Sequence, residues 1–414
     1  MNRCIVAVAA KDLRARGQWA VATAAVLGTF LLPCAAQERF RPADASVMLA
    51  ASVHAQGTRA GSLRALEQAW RADPQRMDAA LPFARAAFTL GLVGGDLRWF
   101  GSAKAALMPW WQAKDLPAEA LFLRGLVQQG FHDFDAGLQD ITAAIAREPQ
   151  RAEFWSWRFA LHLLQANMEA ARQDCAEIER LFGRSEAEVY RAVLLYRTGQ
   201  PQPAIAVLKL KIAAADFQTP ASQQWLGFHL GEALRVAGQP DKAAALWEKL
   251  LKAHPPSHTL RLALAELLNA QGRFAQAKAA LGSPPMTDAL LMQALLASRG
   301  LKDGQEQRLD MMLQERYAAQ ALRQEALIER PRLIYLISGG KDLATGLALS
   351  IDNWKLQKEP PDAVLFVQAA LALDQPRAAE PVLAWAKATG YTEPALAQLL
   401  QQMQAHPRWM GGKP

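Results

Sequence analysis

The stretch "WLGFHLGEALRVAGQPDKAAALWEKLLKAHP", Trp225 to Pro255, decides the fold. Its apolar residues recur three or four positions apart in two runs, which is the period of an amphipathic helix. Gly238 and Pro255 follow the two runs, where helices commonly end. Small residues at Gly231 and Ala243 would let the two helices approach closely. The stretch therefore predicts two packed helices joined by a tight turn. Leu234, Trp247 and Leu250 would fill the space between the two helices.

The same pattern recurs along the chain. The segment "LFLRGLVQQGFHDFDAGLQDITAAIAREP" places Gly125, Gly137 and Pro149 in the same register. An earlier copy begins at Leu49, and weaker copies pass through Phe159, Ala192 and Ala265. Each such unit can bury its apolar face only against its neighbours. The series therefore predicts an all-α fold, a curved α-solenoid of tandem helix-turn-helix repeats.

The spacing of this unit resembles the tetratricopeptide repeat, which is about 34 residues long. The resemblance is good from Ala43 to Pro285 and loosens beyond, with two further units predicted at Leu333 to Glu359 and Asp362 to Thr389. It implies a rigid concave surface that binds other proteins, and it transfers no catalytic residue.

Three segments resemble a narrower group, exported bacterial repeat proteins without an established activity. They are "GGDLRWFGSAKAALMPWW", "FHDFDAGLQDI" and "NWKLQKEPPDA". This resemblance implies export and an all-helical array.

The amino terminus predicts a secretory signal peptide over residues 1–36. Basic residues, among them Arg14 and Arg16, precede the apolar run from Trp19 to Pro33, and Ala36 is the expected last residue before cleavage. The alternative of a membrane anchor is disfavoured because about 15 apolar residues fall short of the roughly 20 that span a bilayer. A third possibility is a lipid anchor on Cys34, although Pro33 is unfavourable for that processing.

The rest of the chain divides into three predicted parts. A tetratricopeptide-like solenoid occupies residues 37–285, degenerate helical repeats continue it over 286–404, and 405–414 form a flexible tail. Loss of the signal peptide would leave one cysteine, Cys175, so no internal disulfide could form. It would also lower the formal charge from +7 to about +4, which does not favour nucleic-acid binding.

One unit departs from the pattern at "VGGDLRWFGSAKAALMPWW", Val93 to Trp111. The small residues of its two helices, Ala84 and Ala103, are 19 positions apart, whereas Gly231 and Ala243 are 12 apart. We expect about seven extra residues in an enlarged turn at Gly94 to Gly101, in which Asp96 caps the turn or pairs with Arg98. One interpretation is that Trp99, Trp110 and Trp111 fill the larger space between the two helices. The other is that Arg98 and Trp99 contact a partner, since arginine and tryptophan dominate interface energetics.

Chemistry-bearing residues are scattered. His254 and His258 have a metal-like spacing, but two prolines between them prevent a shared helix face. "SGGK" at Ser338 to Lys341 lacks the full phosphate loop, and Cys175 lies at an apolar repeat position. The sequence therefore predicts no enzyme, no catalytic residue, no metal and no cofactor.

The predicted partner-binding surface is instead the concave face of the first helices. In the repeat register this face includes Glu119, Phe122, Gln129, Val189, Val193, Tyr196, Trp225, Phe228, Glu232, Arg235, Glu266 and Asn269. Aromatic anchors and opposite charges could hold an extended segment or a helix of another protein. The clamp that some relatives use for a terminal carboxylate is not visible at these positions.

The expected function is an exported, periplasmic or secreted scaffold that binds a protein partner without catalysis. Three alternatives remain: an accessory subunit of a membrane-associated polysaccharide or secretion complex, a lipoprotein anchored through Cys34, and an enzyme whose residues converge only in three dimensions. The last predicts a deep pocket lined by several polar groups.

Overall fold

The computed structural model describes residues 58–96, 98–214, 217–254, 257–282, 287–322, 330–338 and 341–410. The predicted signal peptide, Cys34 and the first residues of the earliest repeat lie outside these ranges. Within them the chain forms helices and turns and no strand.

The helices follow one another with short connections. They are α1 Thr58–Ala72, α2 Met77–Gly94, α3 Arg98–Leu107, α4 Ala118–Gly130, α5 Phe134–Arg147, α6 Ala152–Leu164, α7 Met168–Phe182, α8 Arg184–Arg197, α9 Pro201–Ala213, α10 Pro220–Val236, α11 Pro240–Ala253, α12 His258–Ala270, α13 Phe274–Leu281, α14 Asp288–Leu301, α15 Glu306–Leu322, α16 Arg330–Ser338, α17 Leu343–Leu356, α18 Pro360–Ala372, α19 Glu380–Thr389, α20 Pro394–Ala405 and α21 Pro407–Met410. Short 3-10 turns occupy Met108–Trp110 and Pro376–Ala379.

The helices pair as the repeat pattern predicts. Each even-numbered helix from α2 onward, which we call an inner helix, packs against the outer, odd-numbered helix that follows it. Most inner helices also contact the next inner helix along the chain. The predicted all-α solenoid is confirmed.

Small residues let the two helices of a unit touch. A Cβ atom added to Gly231 would overlap the Trp247 ring, and the Trp247 Nε1–H donates to the carbonyl oxygen of Gly227 at 3.0 Å. Gly125 and Gly137 face each other in the same way, each against the other's carbonyl oxygen. Because Trp247 is fully buried, its size sets the distance between the two helices of this unit.

The extra residues of the unit at Val93 lengthen a helix and do not enlarge its turn. Helix α2 runs for 18 residues to Gly94, and Gly95 then adopts φ 66°, a left-handed conformation that suits the end of a helix. Asp96 accepts hydrogen bonds from the Arg98 backbone N–H and guanidinium, as expected. The prediction of an enlarged turn at Gly94 to Gly101 is wrong because the apolar run before Gly94 continues the helix.

The lengthened α2 reaches a distant part of the chain. At its end, Gly95 lies against the imidazole ring of His258, the first residue of α12. A side chain at Gly95 would collide with that ring. The insertion therefore contacts another part of the solenoid.

Later repeats stack directly on earlier ones. The Lys358 backbone N–H donates to the carbonyl oxygen of Leu164 at 2.7 Å, and Gly199 abuts the backbone of Gly390. Ion pairs join Arg197 to Glu359 at 3.0 Å and Arg235 to Glu393. The carboxyl ends of α6, α8 and α10 thus meet the amino ends of α18 and α20. We call this line of contacts the seam.

The carboxyl-terminal tail is ordered further than expected. Residues Pro407–Met410 form α21, and the Arg377 guanidinium donates to the carbonyl oxygen of Trp409 at 2.9 Å. Along the described part of the chain, no helix is both long enough and apolar enough to cross a membrane.

Candidate functional site

The inner helices line a cavity of about 1960 Å³, which we call the lumen. Its lining comes from the end of α2, from α6, α8, α10, α12, α14, α16, α18 and α20, from the start of the outer helix α3 and from part of the outer helix α15. Because the seam brings later repeats onto earlier ones, the predicted concave face lines this cavity, which stays partly open to solvent.

Much of the lumen wall is apolar. Side chains from six inner helices contribute to it, namely Leu163, Phe228, Leu262, Leu296, Ile334 and Leu365. An apolar wall with a few polar groups is the usual character of a ligand site, because burial supplies affinity and the polar groups supply orientation.

The charged groups of the lumen are mostly held in ion pairs. Arg235 pairs with Glu232 at 2.9 Å as well as with Glu393. Arg330 binds Asp362 at 2.7 Å in a pair that is almost fully buried. On the other side, Arg316 pairs with Asp288 at 2.7 Å and Arg299 with Glu306 at 2.7 Å. The Arg235–Glu393 and Arg330–Asp362 pairs connect different inner helices, whereas the Arg316–Asp288 and Arg299–Glu306 pairs connect α14 with the outer helix α15.

Two histidines of the lumen are uncharged near neutrality. The Tyr196 hydroxyl lies 2.7 Å from His229 Nδ1, and burial lowers the pKa of His229 well below its usual value. His258 Nε2 lies 2.8 Å from Thr287 Oγ1, and burial lowers the pKa of His258 to about 4. Neither ring therefore carries a positive charge that a ligand would meet at pH 7.

Glu266 stands apart from the other acids of the inner wall. Its side chain projects from α12 into the lumen, and no described residue forms a hydrogen bond or ion pair with its carboxyl group. Burial raises the pKa of Glu266 to about 7, with smaller effects from Arg330, Glu232, Arg235 and Asp362. One helical turn further on, Asn269 donates to the Gln293 side chain at 2.9 Å, and its own Oδ1 has no donor.

The structure brings nine of the predicted site residues together around the lumen. They are Arg98, Trp99, Val193, Tyr196, Phe228, Glu232, Arg235, Glu266 and Asn269. Residues from the altered unit at Val93 and from the central repeats, which the sequence presented as two separate surfaces, therefore share one cavity.

Five predicted residues lie elsewhere. One of them, Val189 on α8, is fully buried. The Phe122 side chain is fully buried and its ring lies 4.5 Å from that of Phe154 on the next inner helix. Trp225 is equally inaccessible, with its ring 4.3 Å from that of His229. Both side chains fill the space between adjacent inner helices, so neither is offered to a partner in this conformation.

Glu119 and Gln129 also serve packing between repeats. Glu119 lies between Arg85 at 2.6 Å and Arg151 at 2.9 Å, in an ion-pair network that links α2, α4 and α6. Gln129 is fully buried beside Gly137. The register placed these two residues on the concave face, but their side chains point to neighbouring helices.

Several residues of the lumen were missed by the sequence analysis. Arg197 and Arg330 lie on the inner helices α8 and α16, and their partners Glu359 and Asp362 are distant in sequence. The signal that could have found the partners is "NWKLQKEPPDA", which contains both and was noted without a role. Its Gln357 side chain donates to Asp362 at 2.9 Å.

Other candidate chemistry is weak in the part of the chain that the structure covers. No group of three or more His, Cys, Asp or Glu residues there could hold a metal ion. Cys175 is buried, and burial raises the pKa of its thiol to about 12, so the thiolate nucleophile is not formed near neutrality.

Comparison with known protein families finds a match to one repeat family. A family model of the tetratricopeptide repeat matches residues 234–298, which span α11 to α13 and most of α14. The predicted resemblance to the tetratricopeptide repeat superfamily is thereby confirmed. No curated protein matches the chain.

Several solved structures are similar in fold. A chain of the anaphase-promoting complex hetero-tetramer Cut9–Hcn1 is 14% identical, with 82% of this chain and 66% of that chain covered and a TM-score of 0.43. A tetratricopeptide repeat protein from Parabacteroides merdae is 14% identical, with 69% and 98% covered and a TM-score of 0.30. Yeast Tom70 is 12% identical, with 84% and 85% covered and a TM-score of 0.35. This chain spans just under two thirds of the Cut9–Hcn1 chain.

Proposed function

We propose that this protein is an exported, non-enzymatic scaffold that binds a segment of a protein partner in its lumen. Tetratricopeptide-type solenoids typically use their concave surface for protein contacts. Here that surface is the lumen wall, and the observation that carries the proposal is the size of the lumen and the mostly apolar character of its wall.

The volume favours a chain segment over a compact small molecule. Sites for drug-sized ligands have volumes of roughly 300–1,000 Å³, whereas the lumen measures about 1960 Å³. A rigid, preformed wall also lowers the ordering cost of binding an extended segment.

Export is supported by the sequence of the amino terminus, with its basic residues, apolar run and small residues before Gln37. Binding in the periplasm follows if that segment is removed there. Anchoring through Cys34, or attachment to a membrane-associated complex, would place the same lumen at a membrane surface, and both remain alternatives.

Catalysis is a second candidate because of one specific observation. A glutamate whose pKa lies near 7 is suited to general acid–base chemistry, and the enzyme alternative predicts a pocket that, like the lumen, contains several polar groups. The scaffold function is favoured because Glu232 and Asp362 form ion pairs with Arg235 and Arg330. These charged groups are therefore poorly placed to act with Glu266 as a second acid or base.

The test is to fill the lumen without damaging the core. Ala263→Trp places a large ring on the lumen wall, and Ala245→Trp on the exposed face of outer helix α11 is the matched control. Tagged copies are expressed at native level, crosslinked in cells and analysed by mass spectrometry in soluble and membrane fractions.

The scaffold predicts a specific protein that crosslinks to the wild type and to Ala245→Trp but not to Ala263→Trp. Circular dichroism checks that both variants keep their helix content. Equal recovery with both variants would exclude the lumen as the binding surface.

A further inference from the structure

We infer that Glu266 selects the ligand of the lumen by pairing with a protonated amine or guanidinium group on an otherwise apolar chain segment. This inference rests on the proposed function and specifies the chemistry of its partner, namely a lysine or arginine flanked by apolar side chains.

The first step is that Glu266 lacks the partner that buried carboxylates normally have. Carboxylates removed from bulk water are almost always paired or hydrogen-bonded, because desolvation costs several kcal/mol. Around the lumen, Glu232, Glu359 and Glu393 each have an arginine. Glu266, which lines the lumen, has none among the described residues.

The second step is that the basic groups near Glu266 are already engaged. Arg235 on α10 holds Glu232 and Glu393, and Arg330 on α16 holds Asp362 of α18. On α14, Arg299 holds Glu306. A positive charge for Glu266 must therefore come from outside the inner wall.

The third step concerns charge around the site. The four charged residues that act on the Glu266 carboxyl are Arg330, Glu232, Arg235 and Asp362, two of each sign. The histidines that line the lumen are neutral at pH 7. Ionised Glu266 thus adds a negative charge to surroundings that are otherwise balanced, which favours a cation over an anion. Glu315 is also without an ion pair, but its side chain is exposed to solvent.

The fourth step concerns what surrounds the charge. Leu262 and Ala263 precede Glu266 on α12, and Ile334, Val364 and Leu365 line the facing wall. A free inorganic cation would leave this apolar surface in contact with water. A lysine between leucines would cover it and place its ammonium group at the carboxylate.

The test uses a synthetic capped peptide, Gly-Ser-Leu-Leu-Lys-Leu-Leu-Ser-Gly, and the same peptide with norleucine in place of lysine. Butylammonium chloride is the small-cation probe. Binding to the full chain is measured by isothermal titration calorimetry for the wild type, for Glu266→Gln, and for Glu380→Gln on the outer surface as the control.

We expect the lysine peptide to bind the wild type and Glu380→Gln at least about tenfold more tightly than the norleucine peptide, since a hydrogen bond to a charged group contributes about 1.5–3 kcal/mol. Glu266→Gln should remove that preference. Butylammonium should bind far more weakly than the peptide.

A second readout separates recognition from a structural effect. Because Glu266 titrates near pH 7, binding of a cation should release about half a proton at that pH, measured from the enthalpy in buffers of different ionisation heat. Glu266→Gln should release none. Proton release that is the same in both proteins would overturn the role of Glu266.

The remaining outcomes are also decisive. Equal binding of the two peptides to the wild type would refute cation selection while leaving the lumen as a peptide site. Binding of butylammonium as tight as that of the lysine peptide would refute the inference that the ligand is an apolar chain segment. If neither peptide binds the wild type the inference fails, and the Ala263→Trp crosslinking result separately decides whether the lumen binds a partner.

Discussion

The partly buried carboxyl group of Glu266 should make the protein less stable as the pH rises through the weakly acidic range. Unfolding returns this group to water, where its pKa is 4.5, from a native value of about 7. Below pH 4.5 both states are protonated, and the group contributes nothing. Between pH 4.5 and about pH 7 the unfolded chain loses a proton that the native protein keeps, so stability falls. Above pH 7 the full cost is present.

The size of the effect follows from the two pKa values. A tenfold difference in proton affinity corresponds to about 1.36 kcal/mol, so the gap between pKa 4.5 and about 7 costs at most roughly 3 kcal/mol. Water in the lumen reduces this figure. Glu266→Gln removes the titrating group and nearly preserves the shape, so the variant should gain about 2 kcal/mol over the wild type between about pH 5 and pH 7.5.

The assay is urea unfolding followed by tryptophan fluorescence at these two pH values, with Glu380→Gln as a control that should follow the wild type. Hydrogen exchange of peptides from α12 localises the change, since stability in repeat proteins is not uniform along the chain. A stability difference between the wild type and Glu266→Gln that does not vary with pH would refute the reasoning.

Three other predictions concern the seam and the core. Arg235→Met should cost roughly 3 kcal/mol in urea unfolding because it leaves two carboxylates without their counterion, and hydrogen exchange should rise in α20; unchanged exchange would contradict the seam. Gly199→Ala should cost more than Gly272→Ala by about 1–3 kcal/mol. Both glycines have positive φ in the turn after an inner helix, but only Gly199 abuts another backbone; equal thermal shifts would contradict this. Cys175 should resist iodoacetamide in the native protein at pH 8 and react after unfolding; native labelling, followed by mass spectrometry, would contradict its burial.

Local features of the fold could be predicted because they depend on neighbouring residues. Gly231 and Trp247 belong to one repeat, so their spacing in the sequence already describes their contact. The Asp96–Arg98 pair is local in the same sense. The length of α2 was misjudged because two glycines suggested a turn, although only Gly95 ends the helix.

The burial of Phe122 and Trp225 could not be read from the repeat register alone. That register assigns a residue to the inner helix and to a side of it, but it does not separate the concave surface from the contact with the next inner helix. The two differ by a small rotation about the helix axis. The rings of Phe122 and Trp225 pack against Phe154 and His229, and these contacts determine the rotation. Phe154 lies in the next repeat, and His229 lies one turn further along the same helix as Trp225.

The contacts along the seam depend on the rotation that accumulates over many repeats, which the sequence of a single repeat does not reveal. Arg235 and Glu393 are 158 residues apart, and Arg197 and Glu359 are 162 apart. They meet because a small rotation at each repeat accumulates until later repeats lie on earlier ones. An open solenoid has a stability close to the sum of its repeats and their nearest-neighbour interfaces. The seam adds contacts between distant repeats, so loss of one end of the array weakens the other. It also arranges the predicted concave face around the lumen, where Glu266 has no hydrogen-bond or ion-pair partner among the described residues.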